Sequence, residues 1–458
     1  MQARIKYTPL LAALVIGAAP AISQAGDTAA ATNLIPLSSP ATAKSSASDL
    51  PSSAKTAAKP AGEEAYREKD VWGRIRSGYA IPDVDNSLVT RHVNWYSTRP
   101  DYIDRTTRRA SLYLYHVVSE LEKRGMPTEL ALLPFIESAF NPQALSTANA
   151  AGMWQFVPGT GRDFNLKQNA FKDERRSVLA STDAALTYLQ RLYDMFGDWQ
   201  LALAAYNWGE GSVQKAIKRN QAAGKPTDFE SLAELMPAET RNYVPKLQAV
   251  KNIVANPAQY GLTLPMIQNQ PYFTAVDKTS DIDLALAAQL AELSIDEFKA
   301  LNPQFNRPVI VGSEQTQILL PKENAEKFHL NLAQWGRALS SWTTHKITSA
   351  RERIETLASR FGTTPEVIRQ ANNIPQKTLL KAGSTILVPK TSASANDIAP
   401  EIADNATVAL EADRGGNKRS SYRQAGAAKS NGNAPVSLVK ARVSRAEAGK
   451  KANHRRSN

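Results

Sequence analysis

A glutamic acid at the end of an apolar stretch is the first candidate for chemistry. Glu137 follows Leu132-Leu133-Pro134-Phe135-Ile136 and stands directly before Ser138. A run this apolar is expected to be buried, and burial of an unpaired carboxylate is so costly that the side chain keeps its proton. A carboxylic acid whose pKa is raised towards neutrality is what a general acid requires. We expect its neighbours to be Leu133, Phe135, Ile136 and Phe140.

Two later segments share a composition that suits a sugar-binding cleft. In Gly152-Met153-Trp154-Gln155 and in Ala205-Tyr206-Asn207, small residues lead into an aromatic side chain and an amide. Small residues let the backbone approach a ligand closely, and amide side chains hydrogen-bond a polar, uncharged molecule. Both segments therefore predict a cleft for a carbohydrate rather than for a phosphate.

A second catalytic carboxylate is not evident, although glycoside cleavage commonly uses two. The acids that follow Glu137 most closely are Asp163, Asp173-Glu174 and Asp183. Arg175-Arg176 directly follows the middle pair, so we interpret these four residues as a structural ion-pair cluster. Asp183 is interpreted as a residue at the start of a helix, where a negative charge is favourable.

Four sequence blocks together resemble one known family. They are Glu137-Ser138, Gly152-Met153-Trp154-Gln155, Ala205-Tyr206-Asn207 and Arg241-Asn242-Tyr243-Val244-Pro245. In this order and at these separations they resemble the lytic transglycosylases of murein, and among those the membrane-bound lytic murein transglycosylase D group. The resemblance runs from about residue 70 to about residue 261. It implies a mainly α catalytic domain of the α+β lysozyme-like type (goose-type, SLT).

The resemblance also implies a mechanism with a single acid. Glu137 is expected to protonate the glycosidic oxygen between N-acetylmuramic acid and N-acetylglucosamine, assisted by the substrate's acetamido group. Its carboxylate then takes the proton of the muramyl 6-hydroxyl, so a 1,6-anhydro ring forms without water and the enzyme is a lyase. Ser138 is implied to orient this acid or the acetamido group, and Tyr243 to support the glutamate. In all, the implied substrate-binding residues are Ser138, Gly152, Met153, Gln155, Tyr206, Asn207 and Tyr243.

Two alternatives stay open. The same fold could serve a peptidoglycan hydrolase like goose-type lysozyme, or the chain could be a non-catalytic wall-binding or scaffold protein. Other chemistries are disfavoured, because the five histidines are scattered without ligand spacing and the chain has no cysteine. Glycine pairs such as Gly159-Thr160-Gly161 lack the lysine of phosphate-binding loops. We expect peptidoglycan glycan strands as the partner, with no metal, no cofactor and no nucleic acid.

The elements that position these residues are predicted to be helices. Apolar residues at a helical period predict one helix over residues 92–124, with Gly125-Met126-Pro127 as its stop. Thr128 is expected to cap a short helix that ends near Glu137. Further helices are expected from Thr182-Asp183 to Gly197, from Trp199 to Tyr206 and from Thr240 to Val254.

An internal repeat follows this region. Residues 294–302 align with residues 364–372 at an offset of 70, and Ile318-Leu319-Leu320-Pro321 aligns with Ile386-Leu387-Val388-Pro389 at an offset of 68. Each copy is expected to contain helices, an Asn-containing turn and a short closing strand. This plan resembles the LysM module, a small βααβ unit that binds N-acetylglucosamine-containing glycans. The second copy matches better, although Ala350-Arg351-Glu352-Arg353-Ile354 replaces the usual Gly-Asp-Thr-Leu, and the first copy is interpreted as a structural remnant.

The two ends of the chain carry signals of their own. Residues 1–25 combine Arg4 and Lys6, an apolar run and Ser23-Gln24-Ala25, as in a cleaved secretory signal, so export to the periplasm or cell envelope is expected. No cysteine is present for a lipoprotein anchor. From Arg414 onward twelve basic residues face one acid, so the tail carries +11 of the formal net charge of +12. We expect weak contact of this tail with anionic envelope polymers or lipid.

A chain of 458 residues is too long for a single hydrophobic core, so several domains are expected. In chain order these are a signal peptide (1–25), a disordered linker rich in Ala, Ser, Thr and Pro (26–65), an N-terminal arm (66–110), the catalytic domain (111–265), a degenerate LysM-like module (270–325), a LysM module (343–390) and a disordered basic tail (391–458).

Overall fold

Helices make up the part of the chain that contains Glu137. The computed structural model describes residues 69–349, 352–392 and 394–412; the expected signal peptide, the linker and the tail beyond residue 412 lie outside these ranges. Within them, no helix has both the length and the apolar composition that crossing a membrane requires. The helices up to residue 255 are α1 (Val71–Ser77), α2 (Ser87–Ser97), α3 (Pro100–Ala110), α4 (Leu114–Lys123), α5 (Leu133–Ser138), α6 (Pro158–Asp163), α7 (Val178–Phe196), α8 (Trp199–Trp208), α9 (Glu210–Ala222), α10 (Phe229–Leu232) and α11 (Ala238–Ala255), and short 3-10 turns span Thr128–Leu132, Ala233–Leu235 and Pro257–Tyr260.

Helix α11 lies at the centre of this helical unit. It packs against α2, α5 and α8, and most of its side chains are buried. Leu247, Val250 and Ile253 are each at most 3% exposed, so removal of apolar surface from water stabilises the position of the helix. The first helix is tied to the far end of the unit, because Trp72 Nε1 donates to the Pro265 carbonyl at 2.9 Å.

The single helix predicted over residues 92–124 is wrong. This stretch belongs to three helices, α2, α3 and α4. The break between α2 and α3 falls at Thr98 and Arg99, directly before Pro100, because proline disfavours helical backbone in the residue before it and is accepted in the first turn of a new helix. A turn at residues 111–113 then separates α3 from α4.

Two predicted helix starts are also corrected. Thr128 does not cap a helix; it opens a 3-10 turn, and its hydroxyl donates to the Ile75 carbonyl at 2.6 Å. The helix expected to open at Thr182-Asp183 begins four residues earlier at Val178, where the Ser177 side chain accepts from the Ala180 amide. Thr182 is therefore one turn inside α7 and buried, and its hydroxyl accepts from Trp154 Nε1 at 3.0 Å.

Two small strand-containing modules follow the helical unit. In each, a pair of short helices is closed by an antiparallel strand pair, β1 with β4 in the first module and β5 with β7 in the second. The first module contains β1 (Phe273–Asp277), β2 (Ile282–Asp283), α12 (Leu284–Leu290), α13 (Ile295–Leu301), β3 (Val309–Ile310) and β4 (Gln317–Pro321), and α14 (Lys322–Ala333) follows it. The second contains β5 (Trp342–Lys346), α15 (Ile354–Arg360), α16 (Pro365–Asn372), β6 (Thr378–Leu380) and β7 (Thr385–Pro389).

A buried asparagine has the same hydrogen bonds in both modules, which supports the repeat read from the sequence. In the first module Asn302 Nδ2 donates to the carbonyls of Phe298 and Leu319, and its Oδ1 accepts from the Leu319 amide. Asn372 makes the equivalent three bonds with Ile368 and Leu387. Each asparagine therefore joins the end of the second helix to the closing strand of its module.

The expectation that disorder begins at residue 391 is wrong for residues 394–412. This segment contains α17 (Pro400–Asp404) and β8 (Leu410–Ala412), and β8 pairs with β6 of the second module. Its apolar residues Ile398, Ala403 and Ala406 are 3–5% exposed. These few side chains lie in a polar composition, but burial against the two modules is enough to order the backbone.

Replacing Asn302 by Ala is expected to destabilise the first module by about 2–3 kcal/mol, because the Leu319 amide and carbonyl lose the buried side chain that bonds both of them, whereas the Phe298 carbonyl keeps the backbone amide of residue 302. The measurement is the free energy of opening from hydrogen exchange at the amides of β1 and β4. The control is Asn405→Ala, which removes one exposed bond to the Glu401 carbonyl and should change stability by less than about 0.5 kcal/mol. Equal effects of the two substitutions would contradict the role of Asn302.

Candidate active site

Glu137 lies at the carboxyl end of the short helix α5, just before a sharp turn. Ala139 and Phe140 have positive φ values of 50° and 53°, which side-chain-bearing residues adopt rarely. The turn is held by the Phe140 amide, which donates to the Pro134 carbonyl at 2.9 Å, and by Arg109 Nη1, which donates to the Ala139 carbonyl at 3.2 Å. The turn thus ends the helix immediately after Ser138 and leaves Glu137 partly accessible.

The apolar neighbourhood expected for Glu137 is present in α5 and in the turn. Leu133, Phe135 and Phe140 are at most 2% exposed and belong to the main hydrophobic core, and Ile136 packs against that core. Phe135 and Phe140 meet edge to face with ring centroids 5.1 Å apart. These contacts fix the helix and the turn that carry the acid.

Tyr243 of α11 is the hydrogen-bond partner of the acid. Its hydroxyl donates to Glu137 Oε1, and the Tyr243 residue is 4% exposed. Burial raises the pKa of Glu137 to about 7, while the Tyr243 bond lowers it. The charges of Glu239 and Lys246 act in opposite directions. At neutral pH the carboxyl group is therefore divided between its protonated and ionised forms, which suits a group that must both give and take a proton.

Tyr206 of α8 is a second tyrosine that lies close enough to Glu137 for the charge of this acid to affect its pKa. Its hydroxyl donates to the Trp154 carbonyl at 2.9 Å. Burial, followed by the charge of Glu137, raises the pKa of Tyr206 well above its ordinary value, and the same two causes act on Tyr243. Both phenols consequently stay protonated and act as hydrogen-bond donors.

The loop from residue 144 to residue 156 is folded tightly beside the acid. Ala151 pairs with both Leu145 and Phe156, and Gly152 has a φ of 83°. Gln155 also has a positive φ, 52°, and its Nε2 donates to the Gly152 carbonyl at 2.8 Å. The amide of Gln155 thus closes the loop on itself.

Ser138 links this loop to the helix of the acid. Its hydroxyl donates to the Met153 carbonyl at 2.9 Å, and no bond from Ser138 to the Glu137 carboxyl is among the described contacts. Met153 itself is 1% exposed. Its side chain therefore packs in the core, contrary to the expectation that it lines a cleft, and its backbone carbonyl is the group placed beside α5.

Asn207 follows Tyr206 near the end of α8. Its Oδ1 accepts from the Thr240 hydroxyl at 2.7 Å, so the side chain is oriented by the first turn of α11. Asn207 and Tyr206 are both partly accessible. The structure thus gathers residues of all four blocks around Glu137, from α5, the 144–156 loop, α8 and α11.

Arg175 is a supporting residue whose role the sequence did not reveal. Its Nη1 donates to the carbonyls of Asn149 and Phe156, at 2.6 and 3.1 Å, and its Nη2 pairs with Asp173 at 2.7 Å. Arg175 is 7% exposed, and its carbonyl lies against Gly152. The buried ion pair therefore supports the 144–156 loop. In the sequence, the only indication of this pair was the adjacency of two acids and two arginines.

The other acids are placed differently from the expectation in two respects. Glu174 pairs with Lys172 at 2.8 Å rather than with an arginine, and Asp183 lies in the second turn of α7, where it pairs with Arg124 at 2.7 Å. Glu239, an exposed residue in the first turn of α11, raises the pKa of Glu137 through its charge. Its closeness could not be foreseen, because about a hundred residues separate the two. Among the described residues, no cluster of three or more potential metal ligands is found.

Comparison with known proteins gives matches along the same regions. Three family profiles match: the transglycosylase SLT domain over residues 117–229, the LysM-like domain of lytic transglycosylase MltD over residues 272–336, and the LysM domain over residues 352–389. Membrane-bound lytic murein transglycosylase D of Escherichia coli strain K12 is 37% identical over 330 residues, which cover 70% of this chain and 72% of that protein. Membrane-bound lytic murein transglycosylase C of Haemophilus ducreyi is 28% identical over 226 residues, 42% of this chain and 62% of that protein.

Solved structures align less well. The 70 kDa soluble lytic transglycosylase from Escherichia coli aligns with a TM-score of 0.26 and 19% identity over 42% of each chain, and an alignment this weak carries no argument.

The helical domain around Glu137 is therefore of the SLT transglycosylase class. Because the match to the Escherichia coli protein extends over more than two thirds of both chains, this protein belongs to the membrane-bound lytic murein transglycosylase D family. It is a peptidoglycan lytic transglycosylase, a lyase. The resemblance inferred from the four sequence blocks is thus confirmed, as is a mainly helical fold followed by LysM modules.

Replacing Gly152 by Ala is expected to lower activity by roughly 100-fold, because small displacements of site groups have effects of that order. The added Cβ would lie 2.0 Å from the Arg175 carbonyl oxygen, and the φ of 83° disfavours any side chain. Initial rates of solubilisation of purified sacculi provide the measurement. Gly159→Ala is the control, since its Cβ meets nothing within 4 Å, and a similar loss in both variants would refute the role of the 144–156 loop.

Proposed function

We propose that Glu137 is the single acid and base of a non-hydrolytic cleavage of the β-1,4 bond between N-acetylmuramic acid and N-acetylglucosamine. The protonated carboxyl gives its proton to the glycosidic oxygen as the bond from that oxygen to the muramyl C1 breaks. The acetamido oxygen of the same sugar forms a bond to C1 in its place. The resulting carboxylate of Glu137 then removes the proton of the muramyl 6-hydroxyl, whose oxygen displaces the acetamido oxygen and closes the 1,6-anhydro ring. One proton leaves the enzyme and one returns, so no water enters the balance.

The observation that carries this proposal is the environment of the Glu137 carboxyl group, which sets whether the group is protonated. Burial raises the pKa of Glu137 to about 7, and its described hydrogen-bond donor is the neutral phenol of Tyr243 rather than a cation. An arginine partner would hold the group ionised and useless as an acid. A phenol stabilises the carboxylate after the first step but still permits protonation before it.

The surrounding groups are assigned roles as part of the same proposal. Tyr243 positions the carboxyl group, and Tyr206 and Asn207 bind the sugar next to it. Gly152 and Gln155 shape the loop that borders the substrate. Ser138 and the Met153 carbonyl fix the distance between this loop and α5, so the contribution of these two residues is to hold the site together.

The proposed division of the chain places catalysis in residues 111–265 and glycan binding in the LysM module at 343–390, with the degenerate LysM-like module at 270–325 between them. The matches to the SLT and LysM profiles support it.

Residues 1–25 support export to the periplasm or cell envelope, and the basic residues from Arg414 onward support weak contact with anionic envelope polymers or lipid. The name of the Escherichia coli relative includes "membrane-bound".

Product analysis tests the proposal directly. The parent protein should release muropeptides with 1,6-anhydromuramyl ends from purified sacculi, and Glu137→Gln should release at least about 100-fold less, since it cannot transfer a proton. Mass spectrometry distinguishes anhydro ends from the reducing ends that a hydrolase leaves.

Glu239→Gln is the matched control, because Glu239 is the acid whose charge acts on Glu137. In a lytic transglycosylase this variant should still form anhydro ends. Reducing ends from the parent, lost on substitution of Glu239, would establish a hydrolase with two carboxylates instead.

Tyr243→Phe tests the proton balance of the acid. Activity needs protonated Glu137, so kcat/KM of the parent should fall as the pH rises through about 7. The Tyr243 bond favours the carboxylate and lowers the pKa of Glu137, so its removal should move this decline to higher pH by about 1 unit.

The control for this pH profile is Tyr188→Phe. The Tyr188 hydroxyl donates to Glu210 at 2.9 Å and not to Glu137, so the decline should stay in place. A profile that shifts equally in both variants, or in neither, would show that Tyr243 does not tune the acid.

A further inference from the structure

The first module is joined to the helical unit by backbone hydrogen bonds. The Asp173 amide donates to the Gln304 carbonyl at 2.9 Å, and the Asn306 amide donates to the Phe171 carbonyl at 2.8 Å. Both bonds reach the segment of residues 164–177, which connects α6 to α7. Paired backbone bonds of this kind fix how two stretches of chain lie against each other, so the first module has a defined position on this segment.

The side chain of Phe171 anchors the same segment among the modules. Phe171 is 5% exposed, and burial of a phenylalanine ring contributes about 1.5–3 kcal/mol. It is not among the described residues of the main core that surrounds α11. Its cluster instead combines residues of both modules and of the C-terminal segment, namely Val309, Ala371, Leu387, Ile398, Ala403 and Ala406. The modules therefore hold this part of the 164–177 segment.

Arg175, in the same segment, reaches the loop beside the acid. Its Nε and Nη2 bond the Asp173 carboxyl at 2.9 and 2.7 Å, and its Nη1 donates to the carbonyls of Asn149 and Phe156. The Arg175 carbonyl lies so close to Gly152 that a side chain there would not fit. Asp173 thus bonds the first module through its backbone and orients Arg175 through its carboxyl.

A displacement of the 164–177 segment is expected to move the 144–156 loop with it. The pair of Asp173 and Arg175 is nearly buried, so neither partner can leave the other without a large penalty. The close contact at Gly152 leaves no free space, and close-packed groups transmit displacements. Because a misplacement of about 1 Å at a catalytic site can lower the rate about 100-fold, the seating of the module matters for catalysis.

We propose that the first module is a positioning element of the catalytic site, and that Phe171, Asp173 and Arg175 are the positioning residues that link it to the 144–156 loop. The module then acts on the rate of the chemical step and not through a ligand of its own. This role rests on the proposed function, because the loop affects catalysis only if it borders the substrate of Glu137.

Phe171→Ala in the full chain tests this role. The substrate is a soluble oligosaccharide of alternating N-acetylglucosamine and N-acetylmuramic acid, at saturating concentration. Weaker glycan binding by a module would raise KM and leave kcat unchanged, whereas a displaced loop lowers kcat. We expect kcat to fall about tenfold. Phe171→Leu keeps apolar packing at this position and should retain kcat within about twofold.

Trp335→Ala is the matched control. Trp335 is also an aromatic residue packed against the core of the first module, but it is outside the described cluster of Phe171. Its removal should leave kcat within about twofold of the parent.

Hydrogen exchange shows whether the loop itself responds. The amides of Ala151 and Gly152 donate to carbonyls within the loop. Their protection should fall about tenfold in Phe171→Ala and stay unchanged in Trp335→Ala. Unchanged protection along α11 in the same samples shows that the helical unit of each variant is folded.

A double substitution tests the path through Arg175. Arg175→Lys keeps the charge but loses the planar fork that bonds Asp173 and the loop together. It should lower kcat by itself, and adding Phe171→Ala should lower kcat further by less than about twofold, because both changes act on the same link.

Four outcomes would overturn the inference: an unchanged kcat in Phe171→Ala, a change in KM alone, an equal loss in Trp335→Ala, or additive losses in the double variant. The end groups of the products are determined in the same digests. Reducing ends in place of anhydro ends reject the proposed function whatever the variants do. Anhydro ends together with an unchanged kcat in Phe171→Ala reject the positioning role alone.

Discussion

The fold is arranged around a carboxyl group that is largely surrounded by protein and yet left able to ionise. Burial alone would hold Glu137 protonated, and the Tyr243 hydroxyl offsets part of that effect. The two residues come from different helices, so their contact exists only while α5 and α11 are packed together. The buried face of α11 thus has a chemical consequence as well as a structural one, because it sets the acidity of the group that α5 presents.

A second constraint is the support beneath the 144–156 loop. Arg175 binds two carbonyls of this loop and is itself held by Asp173 in a nearly buried pair. Buried ion pairs add little net stability, but they fix geometry, since removal of either partner leaves an uncompensated charge. Asp173 is also the residue whose amide meets the first module, so the loop beside the acid and the junction with the module share one anchor.

Much of the site could be predicted from the sequence, and the reasons for the failures are physical. The apolar context of Glu137 and the small and amide residues of the 152–155 and 205–207 segments are local properties that the sequence shows, whereas Ser138 and Tyr243 were assigned to the site through the family resemblance. The predicted helix boundaries were wrong where several candidate capping residues compete. Ser177 caps α7, although Thr182-Asp183 is also a pair that could cap a helix. Thr182 is instead buried by tertiary packing, and its hydroxyl accepts a hydrogen bond from Trp154. The helix break directly before Pro100 lies within a stretch whose apolar residues follow a helical period, so this period alone did not reveal the break.

The failures at longer range have a different cause. The proximity of Glu239 to the acid depends on helix packing that no local pattern encodes. The internal repeat was visible because Asn302 and Asn372 occupy matching positions in matching patterns. Residues 394–412 were missed because their few apolar side chains become buried only against modules that lie far earlier in the chain.

This C-terminal segment also determines how the modules can act together. The Ile398 amide donates to Asp281 of the first module, and the Lys381 amide of the second module donates to the Ala409 carbonyl. The C-terminal segment is thus hydrogen-bonded to both modules, so the distance between the modules is fixed by folded protein and not by a flexible linker. For a long polymer that touches both, the gain in avidity then depends on whether its own repeat length matches that fixed spacing.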